Sequence, residues 1–153
     1  MSMPTRISVE FGEVFPHGLY AVSEVTESRD FDKSTKDNPV QATDEPTGLR
    51  IWQVDVMDAD PEARKAERQF TVKLLAKVQP VLPEKPKMPA GMPELPFTPI
   101  ELGGLTATPY VDRDRCTGTD PGKHRCKARQ AWSFRATEVK AVKFSTSSSK
   151  SAA

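Results

Sequence analysis

The chain has few of the residues on which chemistry is usually built. Among its 153 residues are two Cys, two His, two Trp and two Tyr, and aromatics make up 7%. Two cysteines are too few to weave a disulfide framework. The sequence has no GxSxG turn, no phosphate-cradling Walker loop, no HExxH pair and no paired glycines of a dinucleotide site, so nothing points to an enzyme or to a bound cofactor. No run of about 18 apolar residues is present, which excludes a transmembrane helix. The opening stretch MSMPTRISVEFGEV lacks the apolar centre of a signal peptide, so the expected location is the cytoplasm.

What the chain does have is proline and charge. There are 14 prolines, half of them between Pro80 and Pro99, and that segment is expected to cross the surface in extended form because it cannot donate to a sheet ladder. The net charge of +1 hides an asymmetry. Residues 1–100 hold 12 Lys/Arg against 16 Asp/Glu, whereas residues 101–153 hold 10 against 5. The densest basic part runs from Arg113 to Arg135, where seven cations face only Asp114 and Asp120. Such a cluster attracts phosphate even on a nearly neutral protein, although scattered charges on a solvated loop give the same count.

The hydrophobic pattern is that of strands. Trp52, Val54 and Val56 alternate with Gln53 and Asp55, and Phe70, Val72, Leu74 and Ala76 alternate with Thr71, Lys73 and Leu75. Further strands are expected over Ile7–Phe15, Leu19–Val25, Val40–Thr43, Leu105–Val111 and Ala128–Thr137. The turn Asp44-Glu45-Pro46-Thr47-Gly48 should join Val40–Thr43 to Arg50–Met57 as an antiparallel hairpin. Asp58–Arg68 reads as one exposed helical turn or a wide hairpin loop. Six or seven short strands and almost no helix predict a mainly β fold, a small antiparallel barrel (OB-like) or sandwich. One β-rich domain should span residues 1–143, with a disordered Ser/Lys/Ala-rich tail over 144–153.

Two groups of residues are candidates for a site. Cys116, His124 and Cys126 have the spacing C-x7-H-x-C. This set lacks a fourth ligand of familiar spacing for zinc, so free thiols or a disulfide serve as well. The second group follows from how single-strand binders work, with a basic groove and exposed rings on which bases stack. Trp52, Phe70, Trp132 and Phe134 fall on the apolar faces of their strands and are assigned to the core. Tyr110 lies on a more polar face. The candidate DNA contacts are therefore Tyr110, Arg113, Arg115, Arg125, Lys127, Arg129 and Arg135.

In segment order and wording the chain resembles the plasmid replication, integration and excision activator family of actinobacterial integrative elements. The residues that carry the resemblance are VEFGEVFPHGLYAVSEVTESRDFD (Val9–Asp32), NPVQATDEPTGLRIWQVDVMDADPEAR (Asn38–Arg64), VQPV (Val78–Val81), PELPFTPIELGGLTATPYV (Pro93–Val111) and CKARQAWSFRAT (Cys126–Thr137). It implies a non-enzymatic role in replication and in activating integration and excision, and it supplies no catalytic residues. No helix-turn-helix pattern is present, so DNA, single- or double-stranded, would be met through the β-scaffold or through a partner protein. The alternatives are an accessory single-stranded-DNA-binding protein, and an interaction module whose proline-rich segment and strand edges recruit replication or recombination proteins.

Overall fold

The strongest alternation in the sequence becomes the longest strand. The computed structural model describes residues 4–113 and 128–142. Their elements are, in chain order, β1 (Ile7–Ser8), α1 (Phe11–Val14), β2 (Leu19–Ala21), β3 (Thr26–Glu27), β4 (Arg50–Asp58), α2 (Lys65–Arg68), β5 (Gln69–Ala76), β6 (Thr98–Gly103), β7 (Thr106–Asp112), β8 (Arg129–Ala136) and β9 (Glu138–Ala141). β4 and β5 pair antiparallel, with Trp52 opposite Leu74, Val54 opposite Val72 and Val56 opposite Phe70. All of these but the half-buried Phe70 are removed from water, and each fully buried aliphatic side chain contributes about 1.5–3 kcal/mol. The Trp52 indole N–H donates to the Ala76 carbonyl at 3.1 Å, so its one polar atom is satisfied.

The second half of the chain forms one long bent hairpin. β6 pairs with β9 and β7 with β8, and the two ladders share a single register, from Ile100 opposite Ala141 to Asp112 opposite Arg129. The bend falls at Gly103-Gly104-Leu105, across from Thr137, whose N–H donates to the Gly103 carbonyl. β6 continues onto β2, β2 onto β4, β4 onto β5, and β5 onto β8. The hairpin thus closes a ring of five strand paths. From Pro99 the registers lead through Tyr20, Met57 and Gln69. The offset of the β5–β8 pair then carries the path to Ala131 and its partner Tyr110, on the strand path where it began. The result is a curled, mixed sheet, a half-barrel in that its last side, between β5 and β8, is closed by two residue pairs only, and OB-like as expected.

One expectation about direction is corrected. The sheet is not wholly antiparallel, because β5 and β8 run parallel. A ring of five strands cannot alternate direction all the way round, so one neighbouring pair has to be parallel. That pair is also the shortest ladder in the ring, limited to Lys73 with Arg135 and Leu74 with Ala136. Towards their starts the two strands part.

Three local readings are corrected as well. Ile7–Phe15 is a strand only at Ile7–Ser8. Phe11, Val14 and Phe15 then form a helical turn that stacks the Phe15 ring on Phe70 (5.7 Å) and sets it edge-on to Phe134 (5.1 Å). Leu19–Val25 stops at Ala21, because the Ser23 hydroxyl accepts the Asp55 N–H in place of a ladder bond, and pairing resumes in β3. Val40–Thr43 makes only isolated bridges, Arg29 with Gln41 and Thr43 with Arg50, while the Gln41 side chain donates to the Ile51 carbonyl. The Asp44–Gly48 turn exists, with Gly48 at φ +71 and its N–H donating to the Asp44 carbonyl. It closes a short hairpin in which the Asp44 N–H donates to the Leu49 carbonyl and the Ile51 N–H to the Ala42 carbonyl. Beyond Ile51, β4 pairs with β2, β3 and β5 instead of the preceding arm.

Pro80–Pro96 carries no strand and sets Leu82 against the core, as expected of a crossing segment. β6 begins within its last prolines, at Thr98, and was not legible as a strand. No helix among the described residues is long and apolar enough to cross a membrane. The tail from residue 144 lies outside the described residues.

Candidate nucleic-acid interface

Where β5 and β8 part, the barrel has an open end. Phe15, Phe70 and Phe134 form an aromatic floor there, with Phe70 and Phe134 ring centroids 5.7 Å apart. Tyr110 and Trp132 stand at its rim, 49% and 44% exposed. Together with Asp58, Ala66, Glu67 and residues 129–131 they line a cleft of about 420 Å³. Pairing places Pro109 opposite Trp132 and Tyr110 opposite Ala131, so the two exposed rings sit on neighbouring strands and project from opposite faces of that ladder, and both reach the cleft.

Trp132 corrects its assignment to the core. It shares a face with Phe134 and the fully buried Ala136, but it lies at the end of β8 that β5 does not cover. Alternation shows which face a side chain takes. It does not show whether a neighbouring strand is still there to cover it. For the same reason Phe15, Asp58, Glu67 and Gln130 gave no signal in the sequence, since they meet only through the ring closure.

The candidate cations separate into three groups. Arg129 is at the cleft, its Nε donating to Asp112 at 3.4 Å and its Nη1 lying 3.6 Å from Glu67. Arg113 is exposed at the end of β7, next to the cleft wall. Arg135 is six residues further along β8, roughly 20 Å away at strand rise, on the outer face. There its Nη1 donates to Asp44 at 2.7 Å. Arg115, Arg125 and Lys127, and the Cys116/His124/Cys126 set, lie outside the described residues.

The outer face of β4 and β5, which OB-like barrels commonly offer to oligonucleotides, is covered here. The segment between β2 and β4 returns across it. Asp44, only 1% exposed, accepts both Arg6 guanidinium nitrogens (2.8 and 3.1 Å), the Arg135 Nη1 and the Thr47 hydroxyl (2.7 Å). The Arg6 hydrogen bonds, helped by Thr47 and the charges of Arg6 and Arg135, outweigh burial and hold its carboxyl down at about 2. The Lys73 ammonium donates to Ser28 and Gln53, both at 3.0 Å. Burial and then the Arg135 charge push its pKa below the usual lysine range. Phe31, 89% exposed at the tip of the same segment, is held out by a turn in which Asp30 accepts the N–H groups of Asp32 and Lys33.

Among the described residues no cluster of three or more His, Cys, Asp or Glu has metal-binding geometry. Compared with protein-family models, curated proteins and solved structures, the chain gives no match.

Proposed function

We propose that this chain is a non-enzymatic single-strand nucleic-acid-binding protein that supports replication, integration and excision of an integrative plasmid in the cytoplasm. The element and its life cycle come from the resemblance of Val9–Thr137. The preference for single strands rests on one observation: Tyr110 and Trp132 hold large parts of their rings in solvent at the mouth of an aromatic cleft. These rings stand where β7 and β8 lead into the most basic stretch of the sequence. Bases in a duplex are stacked and unavailable to such rings, whereas a single strand can offer them.

The recruiting-module reading has less support. Leu82, Pro83 and Pro86 are half-buried, which makes this first part of the segment a poor ligand for a partner groove, while Pro89, Pro93 and Pro96 are exposed.

Labelled single- and double-stranded oligonucleotides titrated over a salt series test the proposal. The expected outcome is tighter binding to the single strand, with affinity falling as salt rises because phosphate contacts release counterions. Trp132→Ala and Tyr110→Ala should each weaken it by about 1–3 kcal/mol. Undetectable binding to any single strand at low salt would overturn the proposal.

A further inference from the structure

The polar part of the cleft is not what a general phosphate groove would present. Asp58 at the end of β4 and Glu67 in α2 line it alongside the five rings. Arg129, the cation among the lining residues, is already shared between Asp112 and Glu67. One Asp58 oxygen accepts the Asp60 N–H, and a carboxylate offers about four acceptor sites in all, so this contact leaves it capacity. The mouth therefore combines stacking surface with hydrogen-bond acceptors, and its carboxylates contribute no donors.

Stacking hardly distinguishes the bases, since each has a π-face. Their edges do differ. Cytosine, adenine and guanine carry an exocyclic amine that donates, and a carboxylate is a natural acceptor for it. Thymine and uracil offer a carboxylate only their N3–H, which is flanked on both sides by carbonyl oxygens that would lie against the oxygens of Asp58 and Glu67.

We infer that the cleft takes one unstacked base bearing an exocyclic amine, cytosine, adenine or guanine, in preference to thymine or uracil, with Trp132 and Tyr110 as stacking rings and Asp58 and Glu67 as acceptors. This rests on the single-strand reading above. The phosphates lie outside the cleft, towards Arg113, and the base alone meets the carboxylates. The cleft volume of about 420 Å³ is ample for one base.

The test is fluorescence anisotropy with labelled 15-mers of dC, dA and dT at one low salt concentration and neutral pH, using the intact chain. The expected result is that dC and dA bind about thirtyfold more tightly than dT, the middle of the range for one well-formed edge contact. Asp58→Asn and Glu67→Gln should narrow the gap, chiefly by improving dT, because an amide donates as well as accepts. Melting curves of both variants check that the fold is intact. Equal affinity for dT, dC and dA would overturn the base preference and leave the single-strand reading standing. A preference that persists in the Asp58→Asn/Glu67→Gln double variant would overturn the assignment to these carboxylates. If no oligonucleotide binds but a lysine-rich peptide quenches Trp132, the cleft is a box for a cationic side chain and both readings fall.

Discussion

Asp44 shows how much one side chain can fix. Its carboxylate is buried, yet three donor groups converge on it, two of them from distant parts of the chain: Arg6 before β1, Thr47 in its own turn and Arg135 on β8. A carboxyl held at about 2, against an ordinary value of 3.8, stabilises the fold above the ordinary value, and that contribution is lost as pH falls towards 2. The difference corresponds to about 2 kcal/mol. Urea denaturation as a function of pH should show this loss between about pH 4 and 2. In Asp44→Asn that part of the acid dependence should be missing, and the variant should be less stable at pH 7 by a similar amount. An unchanged acid profile would mean that the contact does not persist in solution. Arg135 is accordingly accounted for by a structural contact, and it is the weakest of the described DNA candidates.

At the scale of elements, the bend of the long hairpin carries the architecture. Gly104 has φ +62, and a Cβ placed there would collide with the Thr137 hydroxyl. Gly104→Ala should therefore cost about 1–3 kcal/mol from the backbone alone, with a steric cost added to it. Thermal melting of Gly104→Ala and of Gly104→Ala/Thr137→Ala would separate the two, since the second change relieves only the collision. If Gly104→Ala melts like the parent, the bend is more tolerant than its geometry implies. The strands β4, β5, β7 and β8 were legible because each has a period-two run of apolar residues. β6 and β9 were hidden, one by prolines and the other by its short, charged sequence Glu138-Val139-Lys140-Ala141. Both are strands because the hairpin register carries pairing past the bend. α1 was hidden because Ile7–Phe15 contains enough apolar residues for a strand, and only the position of Phe70 and Phe134 makes a helical turn the better way to bury Phe11 and Phe15.

At the scale of the whole molecule, the ring makes the two halves of the sequence depend on each other. β2, β4 and β5 have no closure without the hairpin, and the hairpin has no core of its own. The two tryptophans report on the two halves, Trp52 buried in β4 and Trp132 exposed on β8. In Trp52→Phe and in Trp132→Phe, the remaining indole and far-UV circular dichroism should follow one denaturant transition, as cooperative unfolding requires. The emission of Trp52 alone should be that of a shielded indole, and that of Trp132 alone that of a hydrated one. Separate transitions for the two probes would show that the hairpin melts independently. The sequence by itself determined the β class, the faces of the central strands, the extended proline-rich crossing and the basic stretch, because each is written in neighbouring residues. Only the tertiary structure decided that Trp132 is exposed, that Arg135 is held by Asp44 and that Asp58 and Glu67 share a cleft with five rings. These depend on where β5 and β8 stop pairing, which is set by closing a ring of five strands whose paired residues lie up to 81 positions apart, Leu19 with Ile100.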